Sequence, residues 1–569
     1  MKYFVLLLGL AASFPAYSQE TASKLPLAIE DPRMDAYLAG RKPATLTIKL
    51  LNAPADLGPV NVKGSFVHYG PDFQTTKHYQ IGKDRELTVE LEQNLPYQQI
   101  WLHVGEYLYA GIYVNTGLTV NIDLDRAKSA YMIGEGISYS GTDGKLNAIL
   151  NEHVLFRRDE RRALSKQRDS LLKKMDELPE GALWVKLDSL RSQRKKINAE
   201  FIAKYPTYGW AVTNEENSAF YNEMCIAYRR KRFPEELEKE VSAHKPFFTS
   251  NDGVQFYRYL SWYLSSGDDH PRPRVHEMIM ADYDAYTQEE QALLDTISSI
   301  RKFSEEERKE KQEVIRSWYK KWNEVFYNDI VKINTQHEAA IFDSLCAAPR
   351  ADILKLGLLK QAKSTFAKTF PLLSASAQTA WCRRIIEKEL EESLASQKQV
   401  DALLASGNAL ENPQAAFGRP VTSLPFGASL YRLDSLDNAD DFIRALLSRF
   451  KDKALIIDFW ATWCGPCISA MPYAKKLQKE NADLPVEYIY LCTSGSSNET
   501  LWKNKVAELK IPGTHIFVAD RIIAGLKSRM DAGGGYPAYV LVDSRGNINA
   551  RRINGLSEIN RDVLKALLE

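Results

Sequence analysis

The chain has 569 residues, 44% hydrophobic and 11% aromatic, with 74 Lys+Arg against 73 Asp+Glu. At about 150 residues per domain this is too long for one core and suggests roughly four units, and the composition excludes a disordered or low-complexity chain. A formal charge of +1 argues against a surface built for phosphate backbones, so no nucleic-acid partner is expected, and six Cys are too sparse for a disulfide-stapled scaffold.

Residues 1–18 read as a cleaved secretory signal. Lys2 gives a positive start, Phe4–Ala12 is an apolar run interrupted only by Gly9, and Ala16 and Ser18 put small residues where a signal peptidase reads. The run is about half the ~20 residues needed to span a bilayer. No later stretch is apolar enough to cross a membrane. The mature chain is therefore expected in the periplasm or cell envelope.

Residues 19–140 predict a β-sandwich-like domain. Ala44–Leu50, Glu86–Glu92 and Leu118–Leu124 alternate apolar and polar residues, and Val60–Val67, Gln98–Val104 and Tyr107–Val114 lie between them. Tyr97, Trp101, Tyr107, Tyr109 and Tyr113 cluster in this region. They read first as sheet formers and core, and second as a ligand platform.

Residues 141–405 predict an all-α region. Leu164, Leu171 and Met175 recur at helical spacing, and Pro206, Pro234, Pro271 and Pro273 punctuate the stretch. Arg157–Lys174 holds eight Lys/Arg and three Asp/Glu. The interleaved signs read as a solvated helix face rather than a nucleic-acid patch. Residues 406–425, rich in Gly, Pro, Asn and Ser, read as a linker.

Residues 426–569 change in kind. Ala454–Phe459 is a continuous apolar run with one Asp, as in a buried parallel strand. Helix candidates cover 438–452, 464–480, 499–510 and 558–568. Strand candidates cover 486–492, 539–543 and 548–552. This is a compact α/β unit.

The strongest chemical signal is Asp458-Phe-Trp-Ala-Thr-Trp-Cys-Gly-Pro-Cys467. It places two cysteines where a strand ends and a helix begins. A helix N-terminus offers unpaired N–H groups and partial positive charge, and both favour thiolate over thiol. Cys464 then attacks, and Cys467, one turn in, resolves the mixed disulfide. Pro466 fits the first helical turn, where its missing N–H leaves no bond unmade. A zinc site would need four ligands, and the sequence has no second such pair and no paired His. No metal and no cofactor are expected.

This stretch resembles the thioredoxin superfamily, and within it the exported TlpA/ResA-type thiol-disulfide oxidoreductases. The resemblance covers about the last quarter of the chain and implies a thioredoxin fold. It implies that Asp458 is the buried carboxylate that moves the proton of Cys467. It also implies that Tyr536-Pro537 is a cis-proline loop seating substrate backbone, that Trp463 flanks the nucleophile, and that Gly465 and Pro466 belong to the substrate surface. Pro472 matches the proline of the active-site helix. Ala470 stands where TlpA-type proteins often carry Glu, and Tyr536 is larger than the residue usual before the cis-proline. A β domain ahead of such a module resembles exported Bacteroidetes-type proteins.

The reading is thus a multidomain chain with an N-terminal β-sandwich, a central all-α region and a C-terminal α/β thioredoxin fold. Its expected activity is dithiol/disulfide exchange on cysteine-containing exported proteins, with a Gly-Pro insert that resembles reducing thioredoxins. A reductase in an oxidising space needs electrons from outside it, so a membrane electron donor is implied. The alternative is a binding protein whose first ~400 residues recognise a partner or polymer, with the dithiol secondary. Cys492 reads as a small buried hydrophobe, His515 as packed in or beside a strand, and the pairing of Cys225, Cys346 and Cys382 stays open.

Overall fold

The structure is a computed structural model. It describes residues 25–127, 133–174, 177–229, 231–266, 273–549, 553 and 555–569. The expected signal segment 1–18, Met175, Pro271 and residues 550–552 lie outside the described residues. The chain separates into two compact units. One is Met1–Val275 with Val331–Lys363 and Leu372–Ile386, and the other is His276–Ile330 with Ser364–Pro371 and Glu387–Glu569.

The first unit opens with strands β1 (Thr45–Leu51), β2 (Val60–Val67), β3 (Gln74–Ile81), β4 (Glu86–Glu90), β5 (Gln98–Val104), β6 (Leu108–Val114), β7 (Gly117–Asp123) and β8 (Ile137–Ser140). They form two four-stranded sheets, ordered β4-β1-β7-β8 and β3-β2-β5-β6. Alternate residues point into a shared core of Leu46, Ile48, Val62, Ile100, Leu102, Ile112, Val120 and Ile122. This is the sandwich that the period-2 alternation predicts. One pairing is parallel, β1 with β7, from Thr45↔Gly117 to Leu51↔Asp123. Buried Asp143 holds the turn into β7. Its Oδ2 accepts the N–H groups of Asn115, Thr116 and Gly117 at 2.8, 2.7 and 2.9 Å.

Helices from Gly144–Phe156 to Ala380–Ala405 make the central region all-α. The basic run at 157–174 is not wholly solvated. Arg157 is buried and pairs with Glu160 and Glu216, and Arg168 pairs with Glu223 at 2.6 Å. Glu216 and Glu223 belong to helix Gly209–Ala227, so part of the run is an inward ion-pair seam. Sequence spacing shows charge but not which helix supplies the counter-charge. Elsewhere in this unit Arg350 grips Glu30 with a two-pronged contact at 2.7 and 2.9 Å.

The second unit contains a six-stranded sheet of β9 (Arg419–Leu424), β10 (Ala428–Leu433), β11 (Ala454–Trp460), β12 (Val486–Thr493), β13 (Gly513–Val518) and β14 (Ala538–Val542). Its order is β14-β11-β12-β13-β10-β9. The four inner strands are parallel, and β14 and β9 run antiparallel at the edges. Both faces are covered, which is why β11 is buried at every residue. One face packs Ile456, Trp460, Tyr490 and Leu541 with Cys467, Met471 and Leu477 of helix Gly465–Glu480. The other packs Leu455, Ile457, Phe459 and Val540 with residues of helices Ala439–Arg449 and Asp520–Arg529.

Three sequence expectations change here. The 406–425 stretch is not an open linker: Arg419–Leu424 pairs with β10, and Phe417 is buried against Tyr431 and Phe442. Its polar composition reports turns. At Gly418 the backbone has φ +93°, and a Cβ would lie 2.1 Å from the Arg432 carbonyl oxygen, so glycine is required there. Second, the expected strand at 548–552 is seen only as isolated bridges, Val542↔Ile548 and Tyr539↔Ile553. Third, the sequence marks neither β13 nor helix Asp520–Arg529: Gly513, Thr514 and His515 open β13 and break the apolar run that signals a buried strand.

Candidate active site

The apolar run of β11 ends at Trp460, and helix Gly465–Glu480 begins five residues later. Cys464 occupies the N-cap position. Its Sγ accepts the backbone N–H of Cys467 at 3.2 Å. Pro466 sits in the first turn, and Pro472 lies inside the helix. Cys464 and Cys467 are joined as a disulfide. Cys467 is fully buried and Cys464 is 3% exposed, but Gly465 and Pro466 beside them are exposed. A Cβ at Gly465 would meet nothing within 4 Å, so the approach to the disulfide is open on that side. The helix N-terminus bears on Cys464 with its partial positive charge, which favours a thiolate when the bond is reduced.

Asp458 lies six residues earlier on β11, 2% exposed. Neither carboxylate oxygen has a hydrogen-bond partner among the described residues. Burial therefore pushes its carboxyl up to about 8, far above the usual range. Strand register sets its surroundings. Asp458 is directly opposite Tyr539 on β14 and Tyr490 on β12, and Tyr490 is opposite His515 on β13. One polar row thus crosses four strands on the face that packs against the dithiol helix. His515 stacks on Tyr490 with centroids 4.6 Å apart and planes at 11°. Burial lowers His515 to about 4, so it is neutral near pH 7, and its Nε2 meets the Ile511 carbonyl at 2.9 Å. Gln478, on the dithiol helix, donates to the Tyr490 hydroxyl at 2.9 Å.

The outer wall of the site is aromatic. Trp463 is 55% exposed, but its Nε1 donates to the Gly495 carbonyl at 2.7 Å. Its ring meets Tyr536 edge-on at 5.9 Å. Tyr536-Pro537 is a cis peptide bond. Behind Tyr536 stands Lys527, whose ammonium lies 4.1 Å from the ring centroid and donates to the Gly535 carbonyl. Positions Gly533, Gly534 and Gly535 leave open space where side chains would be. The loop after β12 is braced in turn. Thr493 Oγ1 accepts from Gly495 N–H at 3.0 Å and donates to Asp520 at 2.8 Å, and Thr462 and Ser497 hydroxyls meet at 2.6 Å.

The structure brings Asp458, Trp463, Cys464, Gly465, Pro466, Cys467, Tyr536 and Pro537 into one unit and largely onto one end of its sheet. Sequence reasoning missed Tyr490, Tyr539 and Lys527. The two tyrosines carried a usable signal, since each sits in a strand candidate, but only the register sets them beside Asp458. Lys527 carried none, because its helix was not foreseen. Cys492 is buried opposite Trp460, with its thiol pushed up by burial. Cys225, Cys346, Cys382 and Cys492 are free thiols. Among the described residues no group of three or more His, Cys, Asp or Glu is disposed to hold a metal ion, and no helix is long and apolar enough to cross a membrane.

The Redoxin family model matches residues 422–568, the segment that carries this sheet and the disulfide. That segment is a thioredoxin-superfamily module of the TlpA/ResA-like kind. Similar sequences include a thioredoxin-like protein, YneN, of Bacillus subtilis, 50% identical over 40 residues, which are 7% of this chain and 24% of that protein. The thiol-disulfide oxidoreductase ResA of Oceanobacillus iheyensis is 32% identical over 66 residues, 12% of this chain and 34% of that protein. Mitochondrial thioredoxin-3 of Saccharomyces cerevisiae is 41% identical over 66 residues, 12% of this chain and 50% of that protein. The chain thus spans between about a quarter and a half of the length of these curated relatives. Among solved structures, a putative thiol-disulfide oxidoreductase of Bacteroides vulgatus is 28% identical, covering 20% of this chain and 70% of that one, with a TM-score of 0.17. The thioredoxin domain of another from the same organism is 23% identical, covering 21% and 81%, with a TM-score of 0.18.

Proposed function

We propose that the C-terminal module carries out thiol-disulfide exchange on exported, cysteine-containing proteins and works as a reductase. The observation that carries this reading is the Cys464–Cys467 disulfide at a helix N-terminus, packed in one cluster with a buried face that holds the unsatisfied carboxyl of Asp458. The structure then corresponds to the oxidised enzyme.

In the reduced enzyme the Cys464 thiolate attacks one sulfur of a substrate disulfide. A Cys464–substrate bond forms, the substrate S–S bond breaks, and one substrate thiolate leaves. Cys467 gives its proton to Asp458 and attacks Cys464 Sγ. The Cys464–Cys467 bond forms and the second substrate thiolate departs, to be protonated. Two electrons have passed from the dithiol to the substrate. A carboxyl near 8 suits the transfer, since it accepts and returns a proton near neutral pH. The open glycines 533–535 and the Tyr536-Pro537 loop offer backbone to an extended substrate beside Trp463. A two-electron donor at the membrane would restore the dithiol. The signal segment read from the sequence supports a site of action in the periplasm or cell envelope.

The test is a redox titration of the purified mature protein with thiol trapping, beside Cys464→Ser and Cys467→Ser. A two-electron transition at a reducing potential is expected, with mixed disulfides accumulating in Cys467→Ser and none in Cys464→Ser. A high potential would make the module an oxidase. An unreactive Cys464 in the native fold would remove the enzymatic reading.

A further inference from the structure

The outward face of the sheet β3-β2-β5-β6 carries a cavity of about 370 Å³. Val62, Ile100, Leu102 and Ala110 fill the core side of these strands, so their neighbours Lys63, Trp101, His103 and Tyr109 face out. Register sets Lys63 opposite His103, His103 opposite Tyr109, and Trp101 opposite Gly111. The indole of Trp101 lies beside Gly111 and stacks with Tyr109, centroids 5.9 Å apart and planes at 24°. His103 meets Tyr109 edge-on at 6.1 Å. Of the five aromatics that the sequence groups, these two face the cavity. Tyr97 and Tyr113 pack instead on Phe248, and Tyr107 packs on the sandwich core.

The rim is polar. Gln74 and Asn251 are bonded side chain to side chain at 2.6 Å, and Ser65 completes the wall. The wall holds two basic groups, Lys63 and His103, and no carboxylate. Each feature narrows the ligand. The volume is at the small end of the ~300–1,000 Å³ usual for small-molecule sites. A polar rim on a shallow floor does not suit an acyl chain. One lysine and one histidine are too few for a polyphosphate. The cavity lies on a sheet face, not on the free edge that an added peptide strand would need. A sugar ring has what the site complements: a flat C–H face for an aromatic floor, hydroxyls for the amide and hydroxyl rim, and in an acidic sugar one carboxylate for the lysine.

We propose that this cavity binds an acidic saccharide, a uronic-acid unit of a polymer, with its ring face on Trp101 and Tyr109 and its carboxylate on Lys63. The site is independent of the dithiol and gives the N-terminal sandwich a recognition role of its own.

The test is isothermal titration of the full mature chain with trigalacturonate, with maltotriose as the neutral comparison. The uronate trimer is expected to bind at least about tenfold more tightly than maltotriose. Trp101→Ala should weaken uronate binding by about tenfold or more, leaving disulfide exchange unchanged. Lys63→Ala should remove the preference for the acidic trimer. If Trp101→Ala does not fold by circular dichroism, Tyr109→Ala, at a 43% exposed position, supplies the same comparison. No binding of trigalacturonate, equal affinity for maltotriose, or full uronate affinity in the folded aromatic variant would each overturn the proposal.

Discussion

Asp458 on β11 and Tyr539 on β14 sit directly opposite each other, and neither the carboxylate oxygens nor the phenol oxygen has a hydrogen-bond partner among the described residues. A buried hydroxyl with no partner carries its desolvation cost with no compensating bond, and removing it leaves nothing unsatisfied. Tyr539→Phe is therefore expected to leave stability within about 1 kcal/mol of the parent, or to raise it. It also takes a polar group from beside Asp458, so the carboxyl should ionise with more difficulty. The pH midpoint for resolution of the mixed disulfide should move up, as read by stopped-flow exchange. A larger loss of stability would show that the phenol is bonded.

Asp458→Asn tests the carboxyl itself. In the folded chain its pKa is about 8, against 3.8 for an ordinary aspartate. Between those values the folded state holds a proton that the unfolded state has released. The contribution is then fully favourable below about pH 4, falls as pH rises, and is lost above about 8. Relative to the parent, Asp458→Asn should gain stability between about pH 5 and pH 8, in urea melts run at both. The same variant should slow resolution by Cys467 about a hundredfold, the usual scale of one general acid–base group. Attack by Cys464 should change little.

Gly495 is fixed by its neighbours. A Cβ there would lie 2.6 Å from Asp520 Oδ1 and 3.0 Å from its Cγ. Gly495→Ala must displace the carboxylate that Thr493 binds, and with it the carbonyl that holds Trp463. A loss of about 1–3 kcal/mol is expected. The KM for a disulfide-bonded protein substrate should rise more than the KM for a small aromatic disulfide, which does not need the wall.

Asp143 supports the sandwich rather than the chemistry. It accepts three backbone N–H groups at the turn before β7 and is 4% exposed. Asp143→Ala leaves all three donors unpaired and should destabilise the first unit by about 2–4 kcal/mol. The redox potential of Cys464–Cys467 should stay at the parent value. A shifted potential would show that the sandwich acts on the dithiol.

The covalent and local parts of this protein are legible in its sequence. The Cys-Gly-Pro-Cys spacing fixes two sulfurs one helical turn apart, and the apolar run before it reads as a strand covered on both faces, which β11 is. Period-2 alternation marks β1 and β7 well enough to place their inward residues. These are short-range consequences of backbone geometry, so residues near one another in the chain suffice.

Tertiary structure decided what depends on register and on distant partners. Asp458 reads as buried from its neighbours in sequence, but its flanking by Tyr490 and Tyr539 follows from three strands meeting at one level. Phe417, in a stretch whose composition signals a tether, is buried because Tyr431 and Phe442 close over it. Lys527 becomes part of the site only through Tyr536 and Gly535. Trp101 and Tyr109 look like any other sheet aromatics until the pairing of β5 with β6 stacks their rings on the outward face. In each case the physical cause is a contact between side chains far apart in sequence, and such contacts exist only once the strands have paired.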